Sequence, residues 1–410
     1  MLRLVSLLGV FAIVGLCWLL SSNRKAISWR QVAVGLVLQA VLGFVFLYWD
    51  AGNAALRGFG DGVKQFLDVS RAGGEFVFNV LSGYGSVDAA FPGDNNGFIF
   101  ATQVLPTLIF FSSFMAVLYH LGVMQQVVRA MAWVMMRVMR TSGAESLSAC
   151  ANVFLGQTEA PLMVRPFLPR ATTSELHAIM TGGFATIAGS VFALYVSYGI
   201  EPGFLMVASV MAVPAGLVCT KIMWPETETP ETLGRVVKVE SEQHANVVEA
   251  AASGAGDGLK LALNVAAMLI AFLGIVAIAN WALGVISPEL TIQAVLGWLF
   301  YPVAAVMGVP SSDVPELARL LGTKLVLTEL VAYGDLVKMK AELDPRTVLI
   351  ASFALCGFAN IGSVAIQIGG LGAMAPDRRG EIARLGFRTM IAGALATCMT
   401  ASVAGVISAV

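Results

Sequence analysis

Two carboxylates fall inside stretches that otherwise belong in oil. Glu159, in the string Gly156-Gln157-Thr158-Glu159, and Glu329, directly after Thr328, each interrupt an apolar segment of the 410-residue chain. A carboxylate at the centre of a bilayer costs on the order of 3 kcal/mol or more, so it persists there with partners or with a function. Each is followed by a second shared string. The first copy is Gly183-Phe184-Ala185-Thr186-Ile187, then Gly189-Ser190-Val191; the second is Gly357-Phe358-Ala359-Asn360-Ile361-Gly362-Ser363-Val364. The chain reads as an internal duplication. In a membrane protein, duplicated halves with broken, polar segments at matching positions imply a secondary transporter whose substrate site lies where the halves meet. Gln157, Thr158, Asn360 and Ser363 add neutral donors and acceptors, which suits an uncharged ligand with hydroxyl or amide groups. A charged ligand would call for a cation near the tips, whereas Lys324 and Arg165 read as side chains that pair with an acid or reach for water. The plainer alternative is that each Glu only caps a half-helix N-terminus within its own hairpin.

The elements that must position these groups are membrane helices. With 57% hydrophobic residues, 12% charged ones and a mean hydropathy of +0.80, the chain has too few polar side chains to face water over its whole surface, so lipid is an obligatory partner. A net charge of −1 and the absence of a basic block exclude a nucleic-acid footprint. The five cysteines lack metal or disulfide spacing and read as small core hydrophobes. His120, His177 and His244 read as interfacial or loop residues. No phosphate-binding loop is present, so an ion gradient supplies the energy.

Apolar runs of about 20 residues, the length that crosses a hydrocarbon core, occur at 4 to 21, 31 to 49, 98 to 121, 175 to 198, 203 to 223, 259 to 286, 346 to 370 and 383 to 408. The fold expected is therefore all-α and polytopic: eight transmembrane helices, two re-entrant helical hairpins at 144 to 170 and 310 to 338, and interfacial helices at 51 to 80 and 123 to 140. Each hairpin is split by its polar centre into two half-length helices, and its tip is tolerable at membrane depth only if buried in protein or facing a water-filled cavity. The first hairpin would enter from inside and the second from outside, giving an inverted repeat. Basic residues concentrate in the segments that are inside if both termini face the exterior, which for a bacterium means the periplasmic side of the inner membrane. The domain reading is 1 to 97, N-terminal scaffold; 98 to 223, first repeat; 224 to 258, a polar cytoplasmic linker with no further role; and 259 to 410, second repeat.

These motifs resemble those of the concentrative nucleoside transporters. Gly156-Gln157-Thr158-Glu159-Ala160-Pro161-Leu162, followed by Val164-Arg165-Pro166-Phe167-Leu168, is similar to that family's first-hairpin signature, and Gly357-Phe358-Ala359-Asn360-Ile361-Gly362-Ser363 to its second-half signature. The resemblance implies a homotrimer whose protomers each hold a site, and a scaffold of the first three spans and the sixth past which a transport domain moves like an elevator. It assigns Gln157, Thr158 and Glu159 to the nucleobase, with Gly156 and Thr158 tuning base preference. It assigns Glu329, Asn360 and Ser363 to the ribose hydroxyls and packs Phe358 near the ligand. It puts Na+ between the first hairpin and the fourth span, on the Asn152 side chain, the Thr186 hydroxyl and the carbonyls of Leu155 and Ile187. No organic cofactor is implied. The function expected is thus a Na+-coupled nucleoside symporter, with uridine the first candidate substrate, and not an enzyme. The alternatives are proton coupling through Glu159 or Glu329, another polar solute such as an amino acid or dicarboxylate, a channel, or a membrane hydrolase that lacks an evident nucleophile.

Overall fold

A computed structural model describes residues 1–82, 99–235, 244–287 and 290–408. Residues 83 to 98, which include the start of the span expected at 98 to 121, and 236 to 243 of the linker lie outside the described residues. Among the described residues every regular element is a helix, apart from one isolated pairing between Ser142 and Leu233.

Three helices come first: α1 (Leu2–Leu19), α2 (Trp29–Gly43, continued by a π turn over Phe44–Tyr48) and α3 (Asp50–Phe78). The first repeat then runs α4 (Leu105–His120), α5 (Val123–Met139), α6 (Gly143–Ala151), 3-10 turns over Ala160–Arg170, α7 (Thr173–Ala185), α8 (Gly189–Ser197) and α9 (Pro202–Met223). The second runs α10 (Val247–Gly284), α11 (Ile292–Val306), α12 (Val314–Val326), α13 (Glu329–Met339), α14 (Pro345–Leu355), α15 (Ile361–Met374) and α16 (Arg379–Ile407). The element order is the same twice: long helix, second helix, split hairpin, broken span, long helix.

Several features depart from the sequence reading. First, α11 lies between the expected span at 259 to 286 and the expected hairpin at 310 to 338, where no helix was expected; it is apolar but too short to register as a span, and it occupies the place that α5 has in the first repeat. Second, the far arm of the first hairpin is not an α-helix, because Pro161, Pro166 and Pro169 remove the amide donors that an i→i−4 ladder needs. Third, α10 starts at Val247, inside the segment read as linker; its small residues are a packing surface, with Ser113 Oγ donating to Ala251 O at 2.8 Å and a methyl group on Gly258 reaching within 2.7 Å of Ile109 Cα. Fourth, His177 is fully buried between the hydroxyls of Thr181 and Thr220, and the rings of His120 and His244 approach to 6.3 Å. All five cysteines are buried and free.

The first part of the linker also has a structural task. The N-terminus of α6 is entirely buried, so its free amides need acceptors. Ser142 and Glu145 form a capping box, while the Thr232 carbonyl and hydroxyl accept from Gly143 N and Ala144 N at 3.0 Å each. Lys221 pairs with Glu145 at 2.7 Å beside this cap, with both side chains buried.

Among the described residues, seven helical stretches are long and apolar enough to cross a membrane; the expected span at 346 to 370 instead appears as two short helices, α14 and α15. Burial sorts the seven into two groups. Thr173–Ser197, Pro202–Met223 and Pro376–Ile407 are 94%, 83% and 72% buried within the chain, whereas Leu2–Leu19, Trp29–Tyr48, Phe100–His120 and Val247–Gly284 are 28%, 28%, 22% and 12% buried. The first group, which includes the broken span Thr173–Ser197, forms the core, and the second forms its flank.

Gly357 lies at φ +154°, and a methyl group there would sit 2.7 Å from Phe184 O and 2.9 Å from Ala185 O. Gly357→Ala is expected to cost about 1–3 kcal/mol by overpacking, read as a lower melting temperature in detergent. Gly369→Ala, in α15 with nothing within 4 Å of the added methyl, leaves the melting temperature unchanged.

Candidate functional site

The site is built where the two broken spans cross. After α7 ends, Thr186 and Ala188 are extended, and after α14 ends the chain runs open to Asn360. The two open segments are joined directly: Phe358 N–H donates to Thr186 O at 3.2 Å. The crossing is close because Gly357 has no side chain to hold the strands apart.

At one end of this crossing lies Glu329, the first residue of α13 and 5% exposed. Its two oxygens are held by different elements. Tyr195 of α8 donates its hydroxyl to Oε1 at 2.7 Å, and Asn360 donates Nδ2 to Oε2 at 2.9 Å. Asn360 is fixed in turn, because its Oδ1 caps α15 by accepting from Ser363 N at 2.8 Å. The Tyr195 ring lies 4.6 Å from that of Tyr333, whose hydroxyl donates to Ser352 O at 2.7 Å. Glu329, Asn360 and Ser363 are therefore brought together as a unit, with Phe358 half-buried beside them.

The first hairpin tip reaches the same helix two turns further on. A methyl group on Gly370 of α15 would lie 2.6 Å from Thr158 Cγ2, and one on Gly183 of α7 would lie 2.8 Å from Gln157 Cβ and also collide with Gln367. Gln367 Nε2 donates to Met180 O at 2.9 Å, while Gln367 Oε1 and Gln157 Oε1 are buried without a hydrogen-bond partner. Residues 360, 363, 367 and 370 share one face of α15, and seven helical residues span about 10 Å. The face runs from the Glu329 unit to the Gln157 and Thr158 tip.

Glu159 behaves differently from Glu329. It is exposed, and its Oε2 accepts from Gly156 N at 3.0 Å, so it closes its own tip as the capping alternative requires. Arg165 is exposed. Lys324 is buried and makes no direct ion pair among the described residues, although the Glu329 charge acts on it: it donates to Ala354 O at 2.9 Å and Thr397 Oγ1 at 3.1 Å. Sequence reasoning passed over Tyr195 and Gln367. A lone tyrosine in an apolar span needs a partner for its hydroxyl, and the 360, 363, 367 periodicity pointed to Gln367; both signals were available.

A second polar centre lies on the other side of α7. Asn152 is fully buried; its Nδ2 donates to Ser148 O at 2.9 Å, and its Oδ1 has no hydrogen-bond partner. Thr186 donates its hydroxyl to Gly182 O at 2.9 Å, which leaves the oxygen's lone pairs free. Asn152 and Thr186 flank Gly182, where a methyl would stand 3.3 Å from Asn152 Nδ2. Gly189 N donates to Phe154 O at 3.0 Å, tying the segments that carry Ile187 and Leu155 to each other. An orphaned amide oxygen beside a hydroxyl and freed carbonyls is an all-oxygen set, suited to a hard cation. Among the described residues no group of three or more His, Cys, Asp or Glu could hold a metal.

Three family profiles cover nearly the whole chain: the Na+ dependent nucleoside transporter N-terminus over residues 8–81, nucleoside recognition over 101–201, and the Na+ dependent nucleoside transporter C-terminus over 204–405. An uncharacterized transporter of Haemophilus influenzae is 44% identical, with 98% of this chain and 97% of that protein aligned. Human solute carrier family 28 member 3 is 41% identical over 99% of this chain and 60% of its own length. Among solved structures, CNTnw in an inward-facing substrate-bound state superposes with a TM-score of 0.94 at 44% identity, covering 99% of this chain and 98% of that one. An outward-facing variant of CNTnw gives 0.94 at 43% identity, covering 100% and 99%. With the duplicated hairpins, the crossed broken spans and these matches together, the chain belongs to the Na+-dependent concentrative nucleoside transporter family: it is a multi-pass membrane transporter and not an enzyme.

Proposed function

We propose that this chain is a Na+-coupled symporter that concentrates nucleosides such as uridine into a bacterial cell. The observation that carries the reading is Glu329, a buried carboxylate held by Tyr195 and Asn360 at one end of a polar helix face whose other end meets Gln157 and Thr158. The ribose binds at Glu329, Asn360 and Ser363, where a carboxylate accepts from neighbouring hydroxyls in charge-assisted bonds about twice as strong as neutral ones. The base binds at the first hairpin. Gln157 presents an amide edge there, Thr158 and Gly156 shape the pocket, Glu159 closes the tip, and Phe358 packs against the ligand. Gln367, with its unpartnered oxygen between the two ends, is a further contact on the base side.

Na+ binds at Asn152 and Thr186 with the carbonyls of Leu155 and Ile187. Its entry satisfies the orphaned Asn152 oxygen and ties the first hairpin to α7, which orders the tip before the base arrives. The partition in burial supports an elevator: α1, α2, α4 and α10 form a scaffold, and the hairpins with α7 to α9 and α14 to α16 form the moving body. Exposed Ile270, Trp281 and Trp298, at 77%, 75% and 69%, give α10 and α11 an apolar flank on which three copies assemble as a homotrimer. Both termini face the periplasm, in keeping with the basic residues near Arg378 on the opposite side.

Three measurements test this reading. Glu329→Gln loses the charge-assisted part of sugar binding, about 1.5–3 kcal/mol, so uridine affinity by titration calorimetry in saturating Na+ falls about 10- to 100-fold; wild-type affinity removes Glu329 from the site. Tyr195→Phe takes away one bond that orients Glu329, worth about 0.5–1.5 kcal/mol, and weakens uridine by roughly 2- to 10-fold with Na+ affinity unchanged. In proteoliposomes, replacing Na+ by choline abolishes concentrative uridine uptake, and Asn152→Ala shifts half-activation to higher Na+; uptake indifferent to Na+ contradicts the coupling.

A further inference from the structure

Lys324 and Glu329 stand on opposite arms of the second hairpin, either side of its turn. Lys324 lies in the last turn of α12, and Glu329 opens α13. A helix C-terminus carries partial negative charge and an N-terminus partial positive charge, so each group sits at the helix end that favours it. Both are buried, at 3% and 5% exposed. They are also tied to one stretch of chain, the end of α14 and the open segment after it. Lys324 donates to Ala354 O, the Tyr333 hydroxyl of α13 donates to Ser352 O, and Asn360 donates to Glu329.

The hydrogen bonds around each group match its charged form. Lys324 meets acceptors, Ala354 O and the Thr397 oxygen, whose own proton goes to Ala394 O. Glu329 meets side-chain donors, the Tyr195 hydroxyl on one oxygen and the Asn360 amide on the other. Acceptors suit an ammonium and donors suit a carboxylate, and an ionised carboxylate has about four lone-pair sites, which leaves room for substrate hydroxyls. The titratable groups that act on Glu329 are Lys324 of α12, Tyr195 of α8, Tyr333 of α13 itself and Cys356 beyond α14. Cys356 and Cys398 of α16 also face Lys324. Phenols and thiols are neutral at physiological pH, so Lys324 is the one formal charge in this set that offsets the carboxylate. Farther along the hairpin Arg319 and Asp335 balance each other at 3.5 Å. A buried carboxylate with no cation to favour it takes up a proton.

We propose that Lys324 is a positioning residue for nucleoside binding that acts through Glu329: its ammonium, without touching the substrate, keeps the carboxylate ionised and so keeps an acceptor ready for the ribose hydroxyls. This role rests on the ribose reading above. The full-length chain is purified in detergent, and uridine affinity is measured by titration calorimetry in saturating Na+ between about pH 5.5 and pH 8.5, a window above the ordinary carboxylate value and below the ordinary lysine value. Wild type is flat across the window. Lys324→Gln removes the charge but keeps a donor for Ala354 O; Lys324→Met replaces it should the first not fold. Without the cation the carboxylate holds its proton to higher pH. The neutral variant therefore approaches wild-type affinity at the alkaline end and weakens toward acid by about 10- to 100-fold, to the level of Glu329→Gln. Lys324→Gln combined with Glu329→Gln binds as Glu329→Gln alone does, at every pH. A lysine with only a structural role would weaken binding equally across the window and further in the double variant. Either of those results overturns the proposal, as does a neutral variant with wild-type affinity throughout. A wild type that weakens toward acid overturns it too, whether or not the variants fold. Wild-type affinity in Glu329→Gln alone overturns the ribose reading and this role with it, whereas a loss in Glu329→Gln beside a flat Lys324 variant overturns this role only.

Discussion

One backbone contact organises this molecule: the amide of Phe358 on the carbonyl of Thr186, where two interrupted helices cross. Breaking a helix inside a membrane frees backbone groups that no water can satisfy. The solution here is reciprocal, since each broken span supplies partners to the other or to a hairpin. Gly357 and Gly393 make it geometrically possible, for added methyls at either would strike the Phe184 to Ala185 segment. The crossing fixes where α15 begins, and that fixes which of its faces looks toward each hairpin.

Asn360 illustrates how tightly local and tertiary demands are coupled. Its carbonyl oxygen must cap α15, so its amide nitrogen can only point away from the helix, and it points at Glu329. The Tyr195 hydroxyl completes the hold from a different span. The carboxylate is thus oriented by the same bonds that terminate and restart helices, and it needs no dedicated framework. A carboxylate held in this way reports the relative position of three elements.

Much of this was legible in the chain alone. The duplicated strings and the two misplaced carboxylates located both hairpins, because charge in an apolar run is costly enough to be a signal by itself, whereas both broken spans read as continuous apolar runs. What remained hidden has physical reasons. Helix α11 is as apolar as a span but shorter than the bilayer is thick. The start of α10 is rich in Gly, Ala and Ser, which read as linker in water and as close packing against α4 in the fold. The prolines of Ala160–Arg170 turn the far arm into 3-10 turns, although its apolar pattern matches that of a helix. The two glutamates look equivalent in sequence, whereas Glu159 folds back on Gly156 and Glu329 reaches across to Tyr195 and Asn360. Partners so distant along the chain cannot be read from local spacing.

On the α15 face that runs from Glu329 toward Gln157, Asn360, Ser363 and Gln367 are buried. The central claim is that one ligand lies along that face. The most direct test is a cryo-electron microscopy map of the full chain with uridine and Na+. The account predicts ligand density along α15 between Asn360 and Gly370, its sugar against Glu329 and its base against Gln157 and Thr158. Ligand density elsewhere, or the two hairpin tips parted with no density between them, would contradict it.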